Sequence, residues 1–249
     1  MIASLMMYAR PETAEAHNRL WTGIRAQLVA RGVCAPDELS QTAEEFEVWN
    51  NPDLVLSQTC SLPYRTRLKD KMRLVCTPDY ALRGCAPGYY RSAFIVRCDD
   101  KRCALIDFAT ARFAYNMRHS HSGFAAPYSH TRASRLWFDH TVQSGAHLTS
   151  ARMVTEGRAD IAAIDAQTWR LIRRYEPWAA DLRVLEYTAP LPGLPYITGL
   201  NQDPKVIFSA IEDAVTDLSA GDKDLLDLRG LVRIPKTAYL GLPVPPKDA

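Results

Sequence analysis

The residues best placed for chemistry fall in two neighbouring runs. Gln143-Ser144-Gly145-Ala146-His147 precedes a helical stretch, and Gly157-Arg158-Ala159-Asp160-Ile161-Ala162-Ala163-Ile164-Asp165 follows it. Ser144 and Gly145 suit the opening of a helix, with the serine hydroxyl accepting from a first-turn N–H. Leu148, Ala151, Met153 and Val154 give that helix an apolar face, and Glu156-Gly157 marks its stop. Ile161 to Ile164 is a continuous apolar run, the pattern of a strand covered on both faces, and it ends on the carboxylate of Asp165. Strand carboxyl ends and helix amino ends are where α/β folds hold ligands, because both present unpaired polar groups to one place. A second polar run, His119-Ser120-His121-Ser122-Gly123, opens another helix. Its serines and the N–H groups near Gly123 fit an anion cradle at the positive end of a helix, or plain capping.

The elements that must position these runs alternate along the chain. Ile2 to Met7 reads as a strand, and a helix from Pro11-Glu12 to about Arg31 buries Leu20, Trp21, Ile24, Leu28 and Val29. Residues 46–49, 54–57, 72–76, 90–97, 113–116, 137–142, 161–164, 182–187 and 196–198 read as strands. Helices are expected through about Ser134, over Ala166 to Tyr175, over Pro204 to Ser219 and over Asp222 to Leu228, with an extended tail from Gly241. Alternation of this kind gives α/β with a mostly parallel sheet. Connectors near 94–97 and 188–195, the second stiffened by prolines, predict two lobes. Residues 1–93 and 196–249 form a discontinuous lobe 1, and 94–195 form lobe 2.

Bulk properties narrow the function classes. The 249 residues are 47% hydrophobic and 23% charged with a formal charge of +2, which gives no reason to expect nucleic acid or an acidic membrane surface. No stretch is apolar enough to insert into a bilayer. The amino end is too short, and lacks the basic flank, for a secretory leader, so a removed leader and a cytoplasmic protein both stay open. None of the six cysteines has C-x-x-C spacing; Cys98/Cys103 and Cys60/Cys85 are candidate disulfides or free thiols. His119, His121, His130, His140 and His147 invite a metal, but no acidic partner stands at ligand spacing.

Several short runs together resemble a known family. Gln58-Thr59-Cys60, Tyr90-Arg91-Ser92, Ser120-His121-Ser122-Gly123, Ser144-Gly145-Ala146-His147, Ala159 to Asp165 and Pro192-Gly193-Leu194-Pro195 are similar to the phosphate/phosphonate-binding solute receptors of ABC transporters, which are type II periplasmic binding proteins. The likeness runs from Ser4 to about Gly230. It implies two α/β lobes with mostly parallel sheets flanked by helices, two hinge crossings, and a small oxyanion trapped in the crevice between the lobes. It also implies a permease partner, a periplasmic location, a monomer, and no cofactor. The anion loop departs from the family's usual Ser-Thr-Ser-Gly at His121.

The resemblance supplies candidate ligand contacts: Tyr8, Gln58, Thr59, Tyr90, Arg91, Ser92, Ser120, His121, Ser122, Ser144, His147 and Asp165. His147 stands where the family points a histidine at the anion. Tyr8 and Tyr90 would cover the organic part of a ligand. Arg91 would pair with an anion or with an acidic neighbour. Asp165 would meet a cationic group on a zwitterionic ligand, or cap the next helix. The competing readings are an enzyme on the same fold, similar to thiamine-pyrimidine synthesis proteins or using Cys60 with His147, and an intracellular small-molecule sensor.

Overall fold

The computed structural model describes residues 1–247, which fall into two compact units: Met1–Gly88 with Pro192–Leu240, and Tyr89–Leu191 with the segment from Gly241. The first crossing comes before the Ser92–Arg97 strand because that strand hydrogen-bonds throughout its length within the second unit. Ser92 stands opposite Asp165, and Arg97 opposite Leu182. The bounds therefore lie at 88/89 and 191/192, against the 93/94 and 195/196 read from sequence, and the tail from Gly241 groups with the second unit rather than with lobe 1.

The first unit is built on a five-stranded sheet in the order Ile2–Ser4, Leu54–Gln58, Tyr196–Gly199, Met72–Asp79, Gly230–Val232. Helices Ala14–Ala30 and Pro204–Asp217 cover it. Their apolar positions recur at helical spacing, so Leu20, Trp21, Ile24 and Leu28 share one core with Ile207, Ile211 and Val215. Tyr239, on the short helix Lys236–Leu240, is fully buried and bonds Thr77 Oγ1 at 2.5 Å and the Gly193 carbonyl at 3.1 Å.

The second unit has its own five-stranded sheet, ordered His140–Gln143, Arg112–Tyr115, Ile161–Asp165, Ser92–Arg97, Leu182–Tyr187. The apolar run at its centre alternates between two cores. Ala162 and Ile164 pack under helices His147–Thr155 and Ala166–Tyr175, while Ile161 and Ala163 face an aromatic cluster. In that cluster Phe113 stacks on Phe138 with centroids 4.4 Å apart and planes 8° apart, and Trp137 meets both rings edge-on.

Three expectations need correction. Both sheets are mixed rather than mostly parallel. The parallel pairs join Ile2–Ser4 to Leu54–Gln58, and Arg112–Tyr115 to each of its neighbours. Ser92–Arg97 and Leu182–Tyr187 carry the chain into and out of the second unit as adjacent strands, so they must run in opposite directions. Residues 45–49 are a helix, because the Glu44 carboxylate accepts from Phe46 N and Phe46 packs edge-on against Trp49 one turn later. The strand expected from Trp137 begins only at His140, since Trp137 and Phe138 are drawn into the aromatic cluster.

Removing the centre of that cluster should be costly. Phe113 is wholly buried, so Phe113→Ala is expected to lower unfolding free energy by about 3–5 kcal/mol. Urea unfolding followed by tryptophan fluorescence measures this, and a loss below about 1 kcal/mol would contradict the packing described.

Candidate functional site

In each unit the polar candidates lie along one edge of the sheet, because chain direction places them there. In the second unit the parallel strands end at Tyr115, Gln143 and Asp165, and the antiparallel strand starts at Ser92, opposite Asp165. The loops leaving that edge carry Asn116 to Gly123, Ser144 to Ala146, and the start of the helix after Asp165.

The first of these loops enters its helix through a wide turn. Ala125 N donates to the Ser120 carbonyl at 3.1 Å, five residues back, and the Ser120 hydroxyl accepts from Gly123 N at 3.1 Å. Ser120 thus takes the capping role. Ser122 instead points across to the next loop, where its Oγ lies 2.9 Å from His147 Nε2. A methyl on Gly123 would sit 1.9 Å from Asn116 Oδ1 and 3.2 Å from His147 Cε1, so only glycine allows this approach. The two loops are also tied through the backbone: Ser144 N donates to the Tyr115 carbonyl at 2.8 Å and Gly145 N to the Asn116 carbonyl at 2.9 Å. Gly145 takes a φ of +91° to do so.

Ser144 does not cap the helix that follows. Its hydroxyl turns to the Ala146 carbonyl at 3.0 Å and to Ser150 Oγ at 2.6 Å, and the helix starts at His147 behind Ala146 with no side-chain cap. The positive φ of Gly145 turns the chain once more before the helix begins, which places Ser144 too early. Asp165, 2% exposed, accepts from Gln167 N at 2.8 Å and Thr168 N at 3.1 Å, a capping arrangement. The Arg91 guanidinium lies over the Tyr187 ring at 3.8 Å. Ser92 is built into the sheet through Thr188, and its buried Oγ has no hydrogen-bond partner. His121 is buried with its ring 6.3 Å from that of Tyr90, also buried.

In the first unit, Gln58 Nε2 donates to the Leu194 carbonyl at 3.0 Å and reaches the Tyr80 hydroxyl at 3.4 Å. Tyr8 packs edge-on against Tyr80, with centroids 5.1 Å apart. Thr59 is buried, its N–H donating to the Pro195 carbonyl at 3.1 Å. Burial, with Tyr80 beside it, holds the Tyr196 phenol well above its ordinary pKa. Tyr80 is the centre of this group and escaped the sequence reading. The signal was its place just past the Met72–Asp79 strand, whose end lies on the same edge as Gln58.

The description "ABC transporter, phosphonate, periplasmic substrate-binding protein" belongs to the family whose pattern matches residues 62–237. The chain belongs to that family. A search of curated proteins finds no significant match. Among solved structures, PhnD1 of Prochlorococcus marinus in complex with methylphosphonate aligns at TM-score 0.76 with 14% identity, covering 96% of this chain and 94% of that one. A binding protein component of an ABC phosphonate transporter from Pseudomonas aeruginosa aligns at 0.68 with 15% identity, covering 97% and 83%. A Xanthomonas citri protein bound to ATP aligns at 0.68 with 16% identity, covering 90% of each chain. At these identities the structures show the two-lobed α/β fold that this family member shares.

Among the described residues no three His, Cys, Asp or Glu come together to hold a metal ion, and His130 pairs with Glu186 at 2.6 Å. Neither candidate pair, Cys98/Cys103 or Cys60/Cys85, is joined by a disulfide. Among the described residues no helix is long and apolar enough to cross a membrane. Asn116 was not anticipated. It sits one residue past a strand end, and only the close packing on Gly123 brings it to the site.

His147 carries a pH signature. The residue is half-buried but its Nδ1 is wholly covered, and burial pushes its pKa from 6.5 down to about 4, partly countered by the Ala163 backbone. Between those values the unfolded chain binds a proton that the folded chain does not, so the folded state loses stability as pH falls from about 6.5 to 4. The His147 contribution is on the order of 3 kcal/mol. His147→Asn is expected to flatten that part of the stability–pH curve in denaturant titrations; an unchanged slope would place the effect elsewhere, with buried His17 the next group to test.

Proposed function

We propose that this protein binds a small phosphorus oxyanion, of the phosphonate or phosphate class, on the donor loops of its second unit and delivers it in the periplasm, as a monomer, to an ABC permease. The observation that carries the reading is the Ser122–His147 hydrogen bond. It brings hydrogen-bonding side chains from two separate loops together beside the start of a helical segment, where backbone N–H groups and the helix dipole favour an anion. The nearby arginines are occupied with rings: Arg91 lies over Tyr187 and Arg118 over Phe124. An oxyanion held by neutral donors is held without a strong ion pair, which suits a protein that must give its ligand up.

The same pair argues for holding rather than reacting. A histidine whose pKa is pushed to about 4 is too weak a base to take a serine proton at neutral pH. In the first unit, Tyr8, Gln58 and Thr59 are read as the polar edge that unit offers to a ligand. We assign Asp165 to the helix cap, so aminoethylphosphonate should gain no advantage over methylphosphonate.

The test is a thermal-shift and calorimetry panel of methylphosphonate, aminoethylphosphonate, phosphate, phosphite, sulfate and taurine. A ligand at about 100 times its Kd adds roughly 2.7 kcal/mol to stability. Ser122→Ala is expected to weaken the best phosphorus ligand by about 10–100-fold, the worth of a hydrogen bond to a charged group. Unchanged affinity in that variant, or no response to any phosphorus oxyanion, would overturn the reading.

A further inference from the structure

The chain passes from one unit to the other a third time, near its carboxyl end. Leu240 closes the first unit, and the segment from Gly241 belongs to the second. Both ends of this passage are fastened. In the first unit Tyr239 has no exposed surface, its ring meets that of Tyr64 edge-on with centroids 6.0 Å apart, and its hydroxyl donates to the Gly193 carbonyl at 3.1 Å. Gly193 N donates in turn to the Gly88 carbonyl at 2.9 Å, so closely that a Cβ on Gly193 would lie 2.6 Å from that oxygen. Gly88 and Gly193 stand at the other two crossings, so all three leave the first unit from one set of hydrogen bonds. In the second unit, Arg118 Nη2 donates to the Lys247 carbonyl at 2.7 Å, and the same guanidinium lies 4.6 Å from the centre of the Phe124 ring. Phe124 is part of the wide turn His121–Ala125 in the donor loop.

Between these anchors runs Gly241-Leu242-Pro243-Val244-Pro245-Pro246, which forms neither helix nor strand. Each proline fixes its φ and removes an N–H, so the segment is a semi-rigid extended spacer rather than slack coil. At about 3.1 Å per residue, the eight steps from Tyr239 to Lys247 reach roughly 25 Å and no further. The other two crossings, Tyr89–Tyr90 and Leu191–Pro192, pair with each other as a two-stranded sheet. A pair of adjacent strands bends and twists at little cost, which is how hinges work. A third crossing, fastened to a separate loop of the second unit, resists that motion. We propose that residues 241–247 are a strut: a proline-stiffened third crossing that limits how far the two units turn about the paired strands, and that ties the donor turn to the first unit through Arg118. The strut acts whatever ligand the protein takes.

The experiment is a distance measurement between two spin labels, one on each unit, in protein to which no ligand is added. Cys34 in the first unit and Cys103 in the second are exposed and take the labels, with Cys85→Ser and Cys98→Ser removing the other accessible thiols. Cys60 and Cys76 are buried, and burial pushes the Cys76 thiol far up, so neither competes. The labelled full chain is compared with a chain ending at Leu240, with Arg118→Leu, and with Pro245→Gly combined with Pro246→Gly. The full chain is expected to give a narrow distribution. Truncation should widen it about two-fold, since a stiff spacer has been lost. Arg118→Leu should match the truncation, and the two together should do no more than either alone, because both release the same anchor. The glycine pair keeps both anchors and should give an intermediate width. An unchanged distribution after truncation overturns the proposal. So does an Arg118→Leu effect that adds to that of truncation, which would assign Arg118 a local role on Phe124 alone. Circular dichroism reports whether each variant folds. If the truncated chain does not, the glycine pair decides, and an unchanged width there overturns the proposal. Because the distances are read without ligand, either result leaves the phosphorus-oxyanion reading to its own test.

Discussion

Everything at the site depends on two loops being held within reach of each other. Tyr115 and Asn116 close the end of a strand and give their carbonyls to Ser144 and Gly145, at the end of the next strand. Those bonds extend the sheet's pairing by a step beyond its regular part, and their result is a fixed distance between Ser122 and His147. Gly123 and Gly145 make the arrangement possible in different ways, one by lacking a side chain where Asn116 packs, the other by adopting a backbone conformation that other residues resist. Neither loop forms this surface alone.

The electrostatic character of the second unit follows from what surrounds those loops. Burial keeps His147 neutral, capping occupies Ser120 and Asp165, and arginine charge is spent on aromatic faces. Hydrogen bonds made in such surroundings are stronger than the same bonds in water, because the local dielectric is low. Neutral groups of this kind can both donate and accept, whereas a guanidinium only donates. The first unit shows a related economy, with the hydroxyl of Tyr80 shared by Gln58 and Tyr196.

Much of the framework was legible because periodicity reports burial. The run from Ile161 to Ile164 read as a strand covered on both faces, and its alternate residues do enter two different cores. The helix from Ala166 to Tyr175 and the strand from Leu182 to Tyr187 fell on their expected residues. Family motifs added the two-lobed fold. What sequence could not convey was direction and distance. Residues 46–49 alternate as a strand would, yet Glu44 caps them into a helix. The strands that enter and leave the second unit look like any others in sequence, so the mixed character of the sheets stayed hidden. Ser120, Ser122 and Ser144 are equivalent on paper; only the fold turns one to its own backbone, one to His147 and one to Ser150. Asn116 has no motif, and its place emerges only from packing on a glycine.

The pairing of Ser92–Arg97 with Leu182–Tyr187 has a consequence for inheritance. Thr188 donates to the Ser92 carbonyl at 2.9 Å, so the two ends of the segment 89–191 meet at a single pair of residues. A segment whose ends touch can be exchanged between relatives as one piece, since the host chain needs no new span to accept it. Both donor loops, the glycines that shape them, Asn116 and the capped carboxylate lie inside that piece. A single recombination event could therefore replace this whole set of donors and acceptors at once, while the first unit, its tyrosine group and the buried anchor at Tyr239 are passed on unchanged.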